Sequence, residues 1–258
     1  MFRLVIFTEN EPHFMLPLIH QVCEELCGEM TIVAIVVSER FGGRSLFSNI
    51  KRFFPLMRTK GLILTVMDEL KYRILRIFKK KYKHSLNSIS LGYNIPLYPT
   101  SDVNSNTFEQ TLKSLKPDLG VSISFAQIFK SNIIRIPKKG IINIHASLLP
   151  KYRGLMPNFW VLLNGEKETG ITIHYIDEGI DTGRVILQER IAIPQHITYY
   201  QITQLSKKFG GKYLINTIQR IKSNKEIPSF SLTEKGNYCG FPKKQDFEDF
   251  WKKGLHYR

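Results

Sequence analysis

Gly140-Ile141-Ile142-Asn143-Ile144-His145-Ala146-Ser147-Leu148-Leu149-Pro150-Lys151-Tyr152-Arg153-Gly154 is an apolar run that ends on an amide, an imidazole and a hydroxyl and then meets a proline. The first six residues have the composition of a buried β-strand, and the proline beyond them marks its limit. Asn143 and His145 are two apart, so on a strand their side chains share one face and can converge on one atom. An amide donor beside an imidazole suits acyl transfer. The amide stabilises the oxyanion of a tetrahedral intermediate, and the imidazole moves the proton. No hydroxyl with a supporting base is evident nearby, so the nucleophile is expected to belong to an acceptor substrate.

Working outward, Phe2 to Phe7 reads as a buried strand, Pro12 can begin a helix that runs to about Cys27, and the β-branched run Thr31 to Val37 reads as a second strand. A short extended stretch begins at Asn94-Ile95-Pro96. Ser101 to Asn106 offers caps for a helix over about 107–115, which Pro117 stops. Asp118 to Ser124 is another buried strand. The pattern is α/β: an open, mostly parallel central sheet with helices on both faces. Ligands in such sheets lie beyond the carboxyl ends of the strands, which directs attention to Ser124–Phe129 and Asn143–Gly154. Thr169–Ile176 and Arg184–Ile193 alternate polar and apolar residues and read as a more exposed, antiparallel pair. Between them Asp177-Glu178-Gly179-Ile180-Asp181-Thr182-Gly183 implies a tight loop with one carboxylate turned inward. His174 lies between Ile173 and Tyr175 on its strand and reads as structural. A helix over about 198–221 closes a unit spanning 1–222. Residues 223–258 contain Pro228, Gly236, Gly240 and Pro242 and read as a short, hairpin-like C-terminal extension.

The 258 residues carry 37 Lys/Arg against 22 Asp/Glu, a net charge of +15. Residues 51–83 hold eleven of the basic residues and two acids, or +9 of that total. The excess is therefore a local feature, and a basic coat for nucleic acid over the whole surface is a poor description. Apolar positions from Ile63 to Phe78 fall at helical spacing, so 51–83 reads as a basic amphipathic helical insertion. It is suited to a phosphate-bearing acceptor or to peripheral contact with an anionic membrane. Cys23, Cys27 and Cys239 are too few for a disulfide framework, which points to a cytoplasmic setting. Cys23, Cys27 and His20 superficially resemble a metal spacing, but their apolar neighbours read as core, and no metal is expected. The apolar stretch after Met1-Phe2-Arg3 is too short for a secretory h-region, and no run reaches the ~18 apolar residues of a membrane span, so neither a leader nor a span is expected.

The pattern Asn143-x-His145-x-Ser147-Leu148-Leu149-Pro150-x-x-Arg153-Gly154, followed by Asp177-x-Gly179-x-Asp181-Thr182-Gly183, resembles the folate-dependent formyltransferases. These include glycinamide ribonucleotide transformylases, methionyl-tRNA formyltransferases and sugar N-formyltransferases. The resemblance runs from about Ile95 to Ile193 and takes in Pro117-Asp118, Gln127-Ile128 and Gly170-Ile171-Thr172-Ile173-His174. It implies a Rossmann-like formyltransferase fold with 10-formyltetrahydrofolate as co-substrate. The absence of a Gly-x-Gly-x-x-Gly after the first strand agrees with a ligand other than a dinucleotide.

Carried over by position, the resemblance implies that Asn143 holds the formyl oxygen, His145 stabilises the oxyanion and shuttles the proton, and Asp181 orients His145 or a relay water. It also implies a pterin pocket formed by Phe125, Ala126, Gln127, Ile128 and Phe129 with Asp177 and Gly179. Ser147, Arg153 and Trp160 are candidates on the acceptor side. The acceptor is expected to be a small-molecule amine bearing phosphate, best read as a nucleotide- or lipid-linked amino sugar. Glycinamide ribonucleotide and methionyl-tRNA are the alternatives within the same chemistry. tRNA is not expected, since the extension is too short for the C-terminal domain that helps hold it, and a homodimer is left open. A catalytically silent protein binding nucleic acid or lipid is the alternative from another class.

Overall fold

The computed structural model describes residues 1–11, 14–39, 85–224 and 227–257. The expected basic helix at 51–83 and the expected helix start at Pro12 lie outside those residues. The first strands are β1 (Arg3–Thr8), β2 (Thr31–Ser38), β3 (Leu97–Thr100), β4 (Leu119–Ile123) and β5 (Ile141–His145). A short strand β6 (Arg153–Gly154) comes next in the chain. The first five are joined to β7 (Glu168–Tyr175) and β8 (Val185–Ala192) in one sheet of order β3-β2-β1-β4-β5-β7-β8. Pairing is parallel from β3 to β5 and antiparallel at β5–β7 and β7–β8. The chain thus builds outward from β1 to β3, then returns to the other side of β1 with β4. That reversal opens a crevice at the carboxyl ends of β1 and β4, next to the end of β5.

The helices are α1 (Met15–Leu26), α2 (Leu86–Tyr93), α3 (Asn106–Leu115), α4 (Ser131–Ile134), α5 (Pro157–Leu163), α6 (Tyr199–Lys222) and α7 (Lys244–Lys252). One buried cluster joins α1 and α6 to the sheet through Leu16, Ile19, Val22, Ile144, Ile173, Leu214 and Ile218. A second, on the opposite face, joins Val5, Phe7 and Val36 to Phe108, Leu112 and Ile133. Helices therefore cover both faces, and the uniformly apolar strands follow from that. Gly210 and Gly211 let α6 approach closely: a Cβ at Gly210 would lie 2.5 Å from Ile144 Cδ1, and one at Gly211 2.8 Å from Leu18 Cδ1. Thr198 and Gln201 form a capping box that starts α6.

The C-terminal segment differs from the expected hairpin. Its strand β9 (Tyr238–Cys239) pairs in parallel with β6, far away in sequence, and its helix α7 buries Phe247 and Phe250. Phe250 stacks on Phe159 of α5 at 4.8 Å between ring centroids. Phe247, Phe250 and Trp251 have helical spacing, so burial of an apolar stripe accounts for the helix. No helix among the described residues is long and apolar enough to cross a membrane. The three cysteines are free.

Candidate active site

Strand β5 presents Asn143 and His145 on one face, while Ile142 and Ile144 pack into the core from the other. The loop after β5 is pinned to the neighbouring strands. Thr172 Oγ1 donates to Ser147 O (2.6 Å) and accepts from Leu149 N (3.2 Å), and Gln188 Nε2 donates to Leu149 O (2.7 Å). The loop returns over the strand end so that Tyr152 O lies 2.9 Å from His145 Nε2. The β7–β8 loop delivers Asp181 from the other side.

Four groups meet at the Asp181 carboxylate. Asn143 Nδ2 donates to Oδ1 (3.3 Å), and Gly154 N donates to Oδ2 (2.8 Å). His145 Nδ1 lies 3.3 Å from Oδ2 and His174 Nε2 3.4 Å from Oδ1. Asn143 Nδ2 also lies 3.1 Å from His174 Nε2, and His174 Nδ1 lies 2.8 Å from Tyr175 O. A ring donating from Nδ1 to Tyr175 and accepting at Nε2 from Asn143 satisfies both contacts. Both N–H bonds of Asn143 are then committed inward, so binding a carbonyl oxygen requires one of them to be released. His174, read from the sequence as structural, stands inside this network. Its position follows from the antiparallel register, which sets Asn143 opposite His174.

The electrostatics are those of a buried charge with close partners. Burial by itself would raise the Asp181 pKa. The charge of His145 and the Gly154 N–H outweigh it and hold the carboxyl well below the usual carboxylate range. Burial lowers the His145 pKa, against the pull of the Asp181 carboxylate and the Tyr152 carbonyl. Both ring nitrogens face acceptors while burial disfavours the charged ring. Opposing effects of that kind suit a group that must both take and release a proton. Ser124, Tyr152 and Asp181, all bordering the site, have φ of 54°, 58° and 52°. Such left-handed backbone in non-glycine residues is concentrated at functional sites.

A cation that the sequence reading did not single out faces the same crevice. Lys207 of α6 donates from Nζ to Ser124 Oγ (3.1 Å) at the end of β4. Burial lowers its pKa to about 8, with Glu11 and Glu9 drawing it back up. Lys207 also borders a cavity of about 870 Å³ between α1 and α6.

A family model described as formyl transferase matches residues 2–218. The chain belongs to the formyl transferase family. It is 39% identical over 144 residues to the methionyl-tRNA formyltransferase of Clostridioides difficile, an alignment covering 56% of this chain and 47% of that protein. The Clostridium perfringens methionyl-tRNA formyltransferase is 34% identical over 174 residues, covering 67% and 56%. The chain thus spans about half the length of the curated relatives it matches. These relatives leave the expectation against tRNA without support. In fold, the chain is similar to a sugar N-formyltransferase from Shewanella (TM-score 0.61, 21% identity, 93% of this chain and 77% of that one). It is also similar to the phosphoribosylglycinamide formyltransferase of Anaplasma phagocytophilum (TM-score 0.63, 15% identity, 92% and 98%). A third similar structure is the N-formyltransferase of Helicobacter canadensis in complex with folinic acid and dTDP-3-aminofucose (TM-score 0.62, 22% identity, 95% and 72%).

The other residues expected to form the site of this formyl transferase divide by what holds their side chains. Gln127 is buried, accepting from Val103 N (2.8 Å) and donating to Ser38 Oγ and Thr100 O (both 3.0 Å), so its amide is committed to the scaffold. Phe125 and Phe129 stack on each other at 5.2 Å and meet Phe7 edge-on. What this segment can present to a pterin is its backbone, with Ala126 part-exposed and the Ile128 side chain exposed. Asp177 Oδ1 accepts from Gly179 N (3.0 Å) and Thr182 Oγ1 (2.7 Å), shaping the loop that carries Asp181. Ser147 Oγ donates to Lys151 O (2.7 Å), and Trp160 Nε1 donates to Gly240 O (3.1 Å). Both side chains are thereby tied to the scaffold. Arg153 Nε is buried and has no hydrogen-bond partner among the described residues. Among the described residues no group of three or more His, Cys, Asp or Glu side chains is placed to hold a metal ion.

Proposed function

We propose that the protein moves a formyl group from 10-formyltetrahydrofolate to the primary amine of a phosphate-bearing amino sugar, nucleotide-linked in the best-supported form. The observation that carries the chemistry is the convergence of Asn143, His145, His174 and Gly154 N on the Asp181 carboxylate. The folate supplies the formyl group. Asn143 would hold the formyl oxygen as negative charge develops on it, once released from its inward bonds. His145 would carry the proton from the attacking amine toward the leaving nitrogen. Asp181 would hold the His145 ring in place and stabilise its charged form.

For the acceptor, Lys207 supplies a cation beside the crevice that suits a phosphate, and the sugar N-formyltransferase structures align with 93–95% of this chain. Methionyl-tRNA is the second reading, favoured by the identity to methionyl-tRNA formyltransferases. The deciding experiment incubates the protein with 10-formyltetrahydrofolate and, in parallel, dTDP-linked amino sugars, methionyl-tRNA and glycinamide ribonucleotide, reading release of tetrahydrofolate. Turnover with an amino sugar is expected. Turnover with tRNA alone replaces the first reading by the second. Asn143→Ala, His145→Ala and Asp181→Ala should each abolish transfer, and near-normal rates in any two refute the mechanism.

A further inference from the structure

Helix α6 packs on the sheet beside Asn143 and His145, and its position there is fixed. Gly210 lies on Ile144, the residue between those two, so closely that a Cβ has no room. One turn earlier Ser206 Oγ donates to Asn158 Oδ1 (3.4 Å), and Asn158 Nδ2 donates to Thr203 Oγ1 (3.4 Å). Lys207 is three residues before Gly210, so it shares that face of the helix one turn nearer the N-terminus. Its Nζ donates to Ser124 Oγ (3.1 Å). Ser124 directly follows β4. The β4–β5 register pairs Gly120 with Ile141, Val121 with Ile142 and Ser122 with Asn143, and continued to residue 124 it reaches His145. Neighbouring strands lie about 5 Å apart, so the tether of the lysine stands at the level of His145, one strand away.

The groups that face His145 come from several elements. The β7–β8 loop brings the Asp181 carboxylate to Nδ1, the loop after β5 brings the Tyr152 carbonyl to Nε2, and β7 brings His174 to the far oxygen of the same carboxylate. Lys207 comes from α6, and its charge weakens the hold of the His145 ring on a second proton. The lysine in turn feels Glu9 and Glu11 of the β1–α1 loop, where Glu11 Oε2 also accepts from Phe14 N (2.7 Å) and Met15 N (3.2 Å). With a pKa of about 8, Lys207 stays charged through the range in which an imidazole titrates. We infer that Lys207 is a positioning residue of the transfer centre: a cation fixed by Ser124 beside His145, it disfavours imidazolium between turnovers and leaves the ring free to take the proton of the attacking amine. That proton passes on to the folate nitrogen as its bond to the formyl carbon breaks, so the ring ends neutral.

This role rests on the transfer reading above, and its test has a readout that needs no turnover. The titration of the His145 ring is followed by NMR on the full chain carrying carbon-13-labelled histidine, without folate or acceptor, the line being assigned by its loss in His145→Gln. Lys207→Met should raise the midpoint by roughly 0.5–1 pH unit, the order expected on removing one nearby unit charge, and Lys207→Arg should return it to the wild-type value. Ser124→Ala, which frees the lysine and removes no charge, should raise it by less, and that variant decides if Lys207→Met fails to fold. An unchanged midpoint in the deciding variant overturns the inference. In turnover with 10-formyltetrahydrofolate, the acid limb of kcat/KM should move to higher pH in Lys207→Met and not in Lys207→Arg. A rise in acceptor KM with the titration unchanged makes Lys207 a phosphate contact only and equally overturns it. If the midpoint moves but no dTDP-linked amino sugar, methionyl-tRNA or glycinamide ribonucleotide is formylated, the transfer reading fails while the coupling of Lys207 to His145 stands.

Discussion

At the scale of single residues, Asn143, His145 and Asp181 are legible in the chain because their spacing within one strand and one short loop is local. His174 is different. Its alternation with Ile173 and Tyr175 says only that it shares a face with Thr172, and nothing nearby names its partner. The β5–β7 register supplies that partner, placing the ring 3.1 Å from Asn143 Nδ2 and 3.4 Å from Asp181. His174 is thus a positioning residue whose loss should leave folate binding intact and misdirect the amide. His174→Phe is expected to lower kcat about 100-fold with folate KM unchanged, as for a small displacement of a reacting group. His174→Gln, which keeps an acceptor for Asn143, should recover most of that loss. Equal rates in the two variants would remove His174 from the network. Gln127 makes the converse point: its place in the motif suggests a ligand contact, yet its amide is committed to Val103, Ser38 and Thr100.

At the scale of elements, strands and helices that bury a periodic face follow the sequence closely, down to the antiparallel pairing of β7 with β8; the greater exposure expected of that pair does not hold for β7, which is buried from Thr169 to His174 because α6 covers one face. The C-terminal helix α7 does not, because the glycines and prolines around it draw the eye to turns. Its aromatic residues gain their meaning only from the surface they meet, the Phe159 ring of α5. Phe250 is fully buried there, and truncation of such a ring costs about 3–5 kcal/mol through lost transfer energy and the cavity left behind. Phe250→Ala should therefore lower the unfolding free energy in urea by about that amount. A loss under about 1 kcal/mol would mean that α7 contributes little to the packed state. Since β9 leads into α7, the same variant should also loosen the strand that supports Gly154 and Tyr238.

At the scale of the molecule, the buried His145–Asp181 pair links folding to pH. Each folded-state pKa lies below its unfolded value, so the unfolded chain takes up protons first as pH falls. For His145 this begins near pH 6.5 and for Asp181 near pH 4, so the stability present at neutral pH is lost progressively on the acid side. The urea midpoint should fall between pH 7.5 and 5, and His145→Gln should flatten that part of the profile. An equal slope in wild type and variant would show that His145 titrates alike in both states. The sequence by itself determined the layered α/β architecture, the strand that ends in Asn143 and His145, and the loop that carries Asp181. Those features depend on periodicity and on residues close together in the chain. Only the tertiary structure decided that His174 joins the network, that Lys207 faces the end of β4, and that Tyr238 lies against Gly154. Hydrogen bonds and ring contacts act over a few ångströms, whereas Asn143 and His174, 31 positions apart, and Ser124 and Lys207, 83 positions apart, come within reach only when register and helix packing bring them together.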